Sequence, residues 1–114
     1  MFIIIFGDSD CTEAVVAMLH NMGVAKTELF SDYKAFSNYL HGHLYDTVLL
    51  LEKGPRSTET ASEIRSLGHR GTFVWFSDLD FSLLAFRLRA DYFGLFPINR
   101  EKLEAAIYSI KENK

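Results

Sequence analysis

The 114-residue sequence holds one cysteine, Cys11, so an internal disulfide is excluded and a reducing cytoplasm is the expected setting. It has no block of Lys or Arg, and its formal net charge is −3. Direct nucleic-acid binding by this domain is therefore not expected. No apolar run approaches the ~20 residues of a membrane span. The opening "MFIIIF" lacks the basic flank and small-residue cleavage site of a secretory leader. No stretch rich in Pro, Gly or Ser divides the chain. These absences predict one soluble domain over residues 1–114, with no membrane partner.

What is present points to a dense core. Hydrophobic residues make up 48% and aromatics 14%, ten of them Phe. Short apolar runs alternate with amphipathic stretches. Phe2 to Phe6 reads as a first strand, and Asp10 with Glu13 as the capping box of a helix. The inward stripe of that helix is Val15, Val16, Leu19 and Met22, and Gly23 closes it. "KTELF" reads as a second strand, and a helix from about Asp32 buries Phe36, Tyr39 and Leu40 before Gly42.

"DTVLLL" is an uninterrupted apolar run, the pattern of a strand covered on both faces. The loop "EKGPRST" then leads to a helix expected over Glu59 to Leu67, ended by Gly68. "GTFVWF" is a fourth strand, and Asp80 is placed to cap a helix "FSLLAFRL". "DYFGLF" is a fifth strand, and Asn99 caps a last helix with the stripe Leu103, Ala106, Ile107 and Ile110. Five β-α units predict an α/β, flavodoxin-like, doubly wound five-stranded parallel sheet of order 2-1-3-4-5, with helices on both faces. Function in such sheets gathers at the carboxyl ends of the strands.

Two stretches carry a family resemblance: "YDTVLLLEKGP" and "SDLDFSLLAFRLRADYFGLFPINREKLEAAI". They resemble the receiver domain of two-component response regulators, CheY-like proteins, and most of all receivers that precede LytTR-type DNA-binding domains. The likeness spans essentially the whole chain. It implies signal transduction and transcription regulation. It places Ser77 on the switch Thr/Ser, Phe93 on the switch aromatic and Pro97 on the family's proline.

Receivers take a phosphoryl group on an aspartate that ends the third strand, with two acids for Mg²⁺ and a lysine before the proline. The chemistry requires cations to offset the phosphoryl oxygens and a carboxylate to attack. At those positions this sequence has Leu51 for the acceptor, Phe96 for the lysine and Gly7-Asp8 for the acid pair. Ser77 alone among the transfer groups is intact. The two apolar replacements predict a phosphate pocket converted into core, with Leu51 and Phe96 covering each other. An enzymatic role, a cofactor and a metal site are accordingly not expected.

Other polar residues read as structural. Asp8 and Asp10 fit a loop position and a helix cap better than a cation site. Glu52 should turn away from the crevice because successive strand side chains alternate faces. His41 and His43 lack a third ligand near in sequence. Surplus apolar groups in the fourth helix predict a surface for a protein partner or a homodimer. It lies on the helix 4–strand 5–helix 5 face and comprises Phe81, Leu84, Phe86, Arg87, Arg89, Phe93 and Arg100. A different class of function is a small-ligand sensor binding at the ends of strands one and three, lined by Gly7, Asp8 and Ser77.

Overall fold

The computed structural model describes residues 2–42, 45–66 and 71–112. The chain runs β1 (Phe2–Gly7), α1 (Ser9–Asn21), β2 (Lys26–Phe30), α2 (Tyr33–Gly42) and β3 (Thr47–Leu51). It continues α3 (Arg56–Ser66), β4 (Thr72–Ser77), α4 (Ser82–Arg87), β5 (Tyr92–Leu95) and α5 (Arg100–Glu112). The five strands form one parallel sheet in the order β2-β1-β3-β4-β5. That is the expected topology.

Strand alternation sorts the apolar runs into two cores. Ile3, Ile5, Leu49, Leu51, Val74 and Phe76 face α1 and α5, where they meet Val15, Leu19, Leu103 and Ile107. Ile4, Phe6, Val48, Leu50, Phe73 and Trp75 face α2, α3 and α4, against Phe36, Leu40, Ile64 and Ala85. Each central strand is covered on both sides, which is why its sequence shows no polar alternation.

Register is pinned by two aspartates that precede strands. Asp46 accepts the Phe2 amide at 2.6 Å and its own amide donates to the Phe2 carbonyl. Asp91 does the same with Phe73, accepting its amide at 2.8 Å. The leading Asp of "DTVLLL" and of "DYFGLF" thus lies outside its strand and clamps the neighbouring one. Sliding either strand by a residue would break both bonds and swap its faces.

Helix boundaries depart from expectation in three places. α1 begins earlier, at Ser9 with Asp8 as its N-cap residue, so Asp10 lies inside the first turn; its side chain lies outside the described residues. α3 begins at Arg56, because Pro55 directly before it has a backbone already preset for a first helical turn. α4 spans only six residues, and Asp80 accepts the Ser82 amide at 3.0 Å ahead of it. The expected ends at Gly68 and His69, and the residue His43, lie outside the described residues, as does the side chain of Ile110.

Both helix exits over the core use the same backbone device. After α1, the Val24 amide reaches the Leu19 carbonyl and the Gly23 amide the His20 carbonyl, with Gly23 at φ 93°. After α4, the Ala90 amide reaches Ala85 and the Arg89 amide reaches Phe86, but the left-handed residue is Arg89, at φ 59°. An arginine there carries a backbone cost of roughly 1–2 kcal/mol that glycine would not. Arg65 of α3 meets this end, its guanidinium donating to the Leu88 carbonyl at 2.7 Å and to the Arg89 carbonyl.

Candidate functional site

At the carboxyl ends of β1 and β3 the position expected to hold the acceptor is buried and apolar. Leu51, the last residue of β3, is 0% exposed and lies in the α1/α5 core beside Phe76. Gly7 ends β1 directly opposite it in the ladder. A Cβ on Gly7 would stand 2.2 Å from the Leu51 carbonyl oxygen and 2.8 Å from its Cβ. Backbone cannot yield as a flexible side chain can, so position 7 admits no side chain. Of the acid pair, only Asp8 remains on the motif, and its side chain is exposed.

Ser77 ends β4 and points to the opposite face, toward α3. Its buried hydroxyl lies 3.3 Å from the Ser57 hydroxyl and 3.4 Å from an Asp78 carboxylate oxygen. Ser57 in turn donates to the Gly54 carbonyl at 2.9 Å, and the Gly54 amide donates to Asp78 at 2.7 Å. A closed polar circuit therefore ties the β3–α3 loop to the end of β4. The Gly54 amide holds the Asp78 carboxyl below its ordinary value of 3.8, with the Ser77 hydroxyl and Lys53 adding to the effect. Ser57, Gly54 and Asp78 were not singled out from the sequence; only the polar stretches flanking β3 and β4 hinted at them.

Glu52 behaves as strand alternation requires. Its carboxylate turns to α3 and accepts the Thr60 hydroxyl at 2.7 Å. Partial burial pushes its pKa up, while Thr60 and Arg56 pull it back and Asp8 adds to the rise. On the same side, burial and the Glu63 carboxylate push the Tyr33 phenol up to about 12, so it stays protonated as a donor.

Phe96 approaches the core around Leu51 from beyond β5. It follows β5, is only half-buried, and packs on the α1/α5 core with Lys53 Nζ 5.9 Å from its ring centroid. Its amide donates to the Ser77 carbonyl at 2.9 Å. Between α1 and the segment Phe96-Pro97-Ile98 a cavity of about 360 Å³ remains. Leu51 is fully buried, and the half-buried Phe96 packs against the same α1/α5 core.

The resemblance to receivers implies an Mg²⁺ held by acids at positions 7, 8 and 51. The donor set does not fit it: one exposed Asp8 carboxylate, a glycine with no room for a side chain, and a buried leucine. Of the residues expected to line a ligand site, Gly7 abuts Leu51, Asp8 is exposed and the Ser77 hydroxyl faces Ser57 and Asp78.

The expected partner face is divided by the structure. Phe81 stacks on Trp75 at 5.6 Å and Phe93 meets it edge-on at 5.2 Å, and Leu84 packs on the same core. These three turn inward because Trp75 spreads a wide ring under the short α4. Phe86 is 81% exposed and Leu83, one turn before it, 66% exposed. Leu83, one of the surplus apolar residues of this helix, extends the exposed apolar surface beside Phe86. Arg87 and Arg89 flank them in the chain and are exposed, while Arg100 pairs with Glu104 at 2.8 Å.

No protein-family model and no curated protein sequence matches the chain. Solved structures do. The E. coli RcsC C-terminus, which contains a linker region and phosphoreceiver domain, superposes with a TM-score of 0.80 at 15% identity, over 99% of this chain and 46% of that one. The response regulator DrrB of Thermotoga maritima, an OmpR/PhoB homologue, gives 0.76 at 20% identity, over 99% of this chain and 54% of its own. The chain thus spans about half the length of these two. The signal receiver domain of a putative NarL from Mycobacterium tuberculosis gives 0.71 at 21% identity, over 99% and 98%. With its strand order and its two helical layers, the chain has the fold of the CheY-like response-regulator receiver domains.

Proposed function

We propose that the chain is a receiver-like signalling module that does not accept a phosphoryl group and acts through protein contact. The single observation that carries this reading is the buried Leu51 at the acceptor position, with the Gly7 backbone pressed against it. Transfer needs a carboxylate nucleophile and cations around the incoming oxygens. The apolar strand end supplies neither, and the Ser57–Asp78 circuit already satisfies the serine hydroxyl that would bind a phosphoryl oxygen. Output then depends on abundance, on a partner, or on self-association through α4, β5 and α5. In this reading the module is not an enzyme, works in the cytoplasm and serves a LytTR-like transcription regulator.

Trp75 offers the test, because it is the one tryptophan of the chain and lies two residues from Ser77 in β4. Beryllofluoride or acetyl phosphate with Mg²⁺ is expected to leave Trp75 fluorescence and the intact mass unchanged. A stoichiometric phospho-adduct would overturn the reading.

A further inference from the structure

We infer that Arg65 is a strap that holds α4 short, and that its release lets α4 continue as helix through Ala90. The sequence after α4, Leu88-Arg89-Ala90, contains no glycine, asparagine or proline to end a helix. Leucine, arginine and alanine are among the strongest helix formers. Yet α4 stops at Arg87, and Arg89 takes φ 59°, a left-handed conformation that an arginine disfavours. Local preference and observed backbone therefore conflict, and the opposing force comes from another element. The Arg65 guanidinium reaches over from α3, 5.3 Å from the Phe73 ring centroid, and donates to the Leu88 and Arg89 carbonyls. Burial disfavours its charge, and those bonds offset that cost.

The two forms differ by little. In the short form the Arg89 amide donates to the Phe86 carbonyl and the Ala90 amide to the Ala85 carbonyl. Helical continuation exchanges these acceptors, Arg89 taking Ala85 and Ala90 taking Phe86, so no backbone bond is lost. Asp91 bounds the change, because its amide and its carboxylate are both clamped to Phe73. The packing beneath α4 is also incomplete: the buried Trp75 indole N–H, stacked under Phe81, finds no acceptor among the described residues. A longer α4 must shift against the fixed Asp91, which redirects the exposed Leu83 and Phe86. A contact that favours one form shifts the balance toward it by its difference in affinity.

The strap involves no residue at the ends of β1 and β3, so it stands whether or not the chain accepts phosphate. The test follows the NMR Cα shifts of Leu88, Arg89 and Ala90 in the full chain, with Trp75 fluorescence as a second readout. Arg65→Gln removes the forked donor and is expected to move all three Cα signals to helical values and to shift the Trp75 emission. Adding Arg89→Gly to it should return Leu88 and Ala90 to the parent's values, because glycine accepts the left-handed conformation and weakens the helix. Arg65→Lys keeps the charge but loses the fork, so it should move the same signals part of the way. It decides the matter if Arg65→Gln does not fold. Parent-like signals at Arg89 in a folded Arg65 variant, loss of helical signals throughout α4, or a double variant that stays helical at Leu88 and Ala90 would each overturn the proposal.

Discussion

At position 51 a carboxylate would be surrounded by aliphatic and aromatic side chains of the α1/α5 core, and burying it unpaired there costs several kcal/mol. The double change Leu51→Asp with Phe96→Lys is therefore expected to lower stability by roughly 3 kcal/mol in the absence of Mg²⁺. Urea denaturation reads this directly, and an unmoved midpoint would mean that the leucine is not buried in solution. Arg89 argues in the opposite direction. Glycine at this left-handed position removes the backbone cost, so Arg89→Gly should raise stability by about 1 kcal/mol, or some 4 °C in melting temperature. A fall instead would show that the arginine side chain makes a contact worth more than its strain.

Between elements, two carboxylates at the strand ends titrate with opposite effects. Asp78 is held below its ordinary pKa by the Gly54 amide, so its tie stabilises the fold above the usual carboxylate range. That contribution disappears as pH falls through the lowered value. Glu52 is raised by burial, so its ionised form is disfavoured in the folded state, and stability declines as pH climbs through the window above 4.5. Asp78→Ala is expected to speed hydrogen exchange at the Gly54 amide, and Glu52→Gln to flatten the pH dependence in that window while keeping a Thr60 bond. Gly54 exchange that ignores Asp78→Ala would remove the circuit from solution. The α4 exit is tied in the same cross-element way, since Arg65 of α3 holds its last carbonyls.

For the molecule as a whole, the proposed contact with a partner or second copy falls on the exposed pair Leu83 and Phe86. Phe86→Ser should change stability by less than about 0.5 kcal/mol, because the ring touches little of the core. It should abolish self-association or partner capture, measured by sedimentation velocity and pull-down. Identical behaviour of parent and variant would strike this face from consideration.

The two-sided burial of "DTVLLL" and the apolar character of the strand ends were legible residue by residue, because alternation and helical spacing are short-range patterns, while the strand order followed from the right-handed crossovers of five β-α units and their commonest arrangement. Even the turn of Glu52 away from the crevice followed from counting strand positions from Val48. The roles of Phe81, Leu84 and Phe93 were not legible, since composition cannot say which way a six-residue helix rotates over Trp75. Nor were the engaged Ser77 hydroxyl and the gap beside Phe96, each of which joins residues 20 or more positions apart. Local periodicity determined which side chains this protein would bury. Only the tertiary packing decided which polar groups meet at the strand ends and where space is left, because those depend on distances that no single segment of the chain controls.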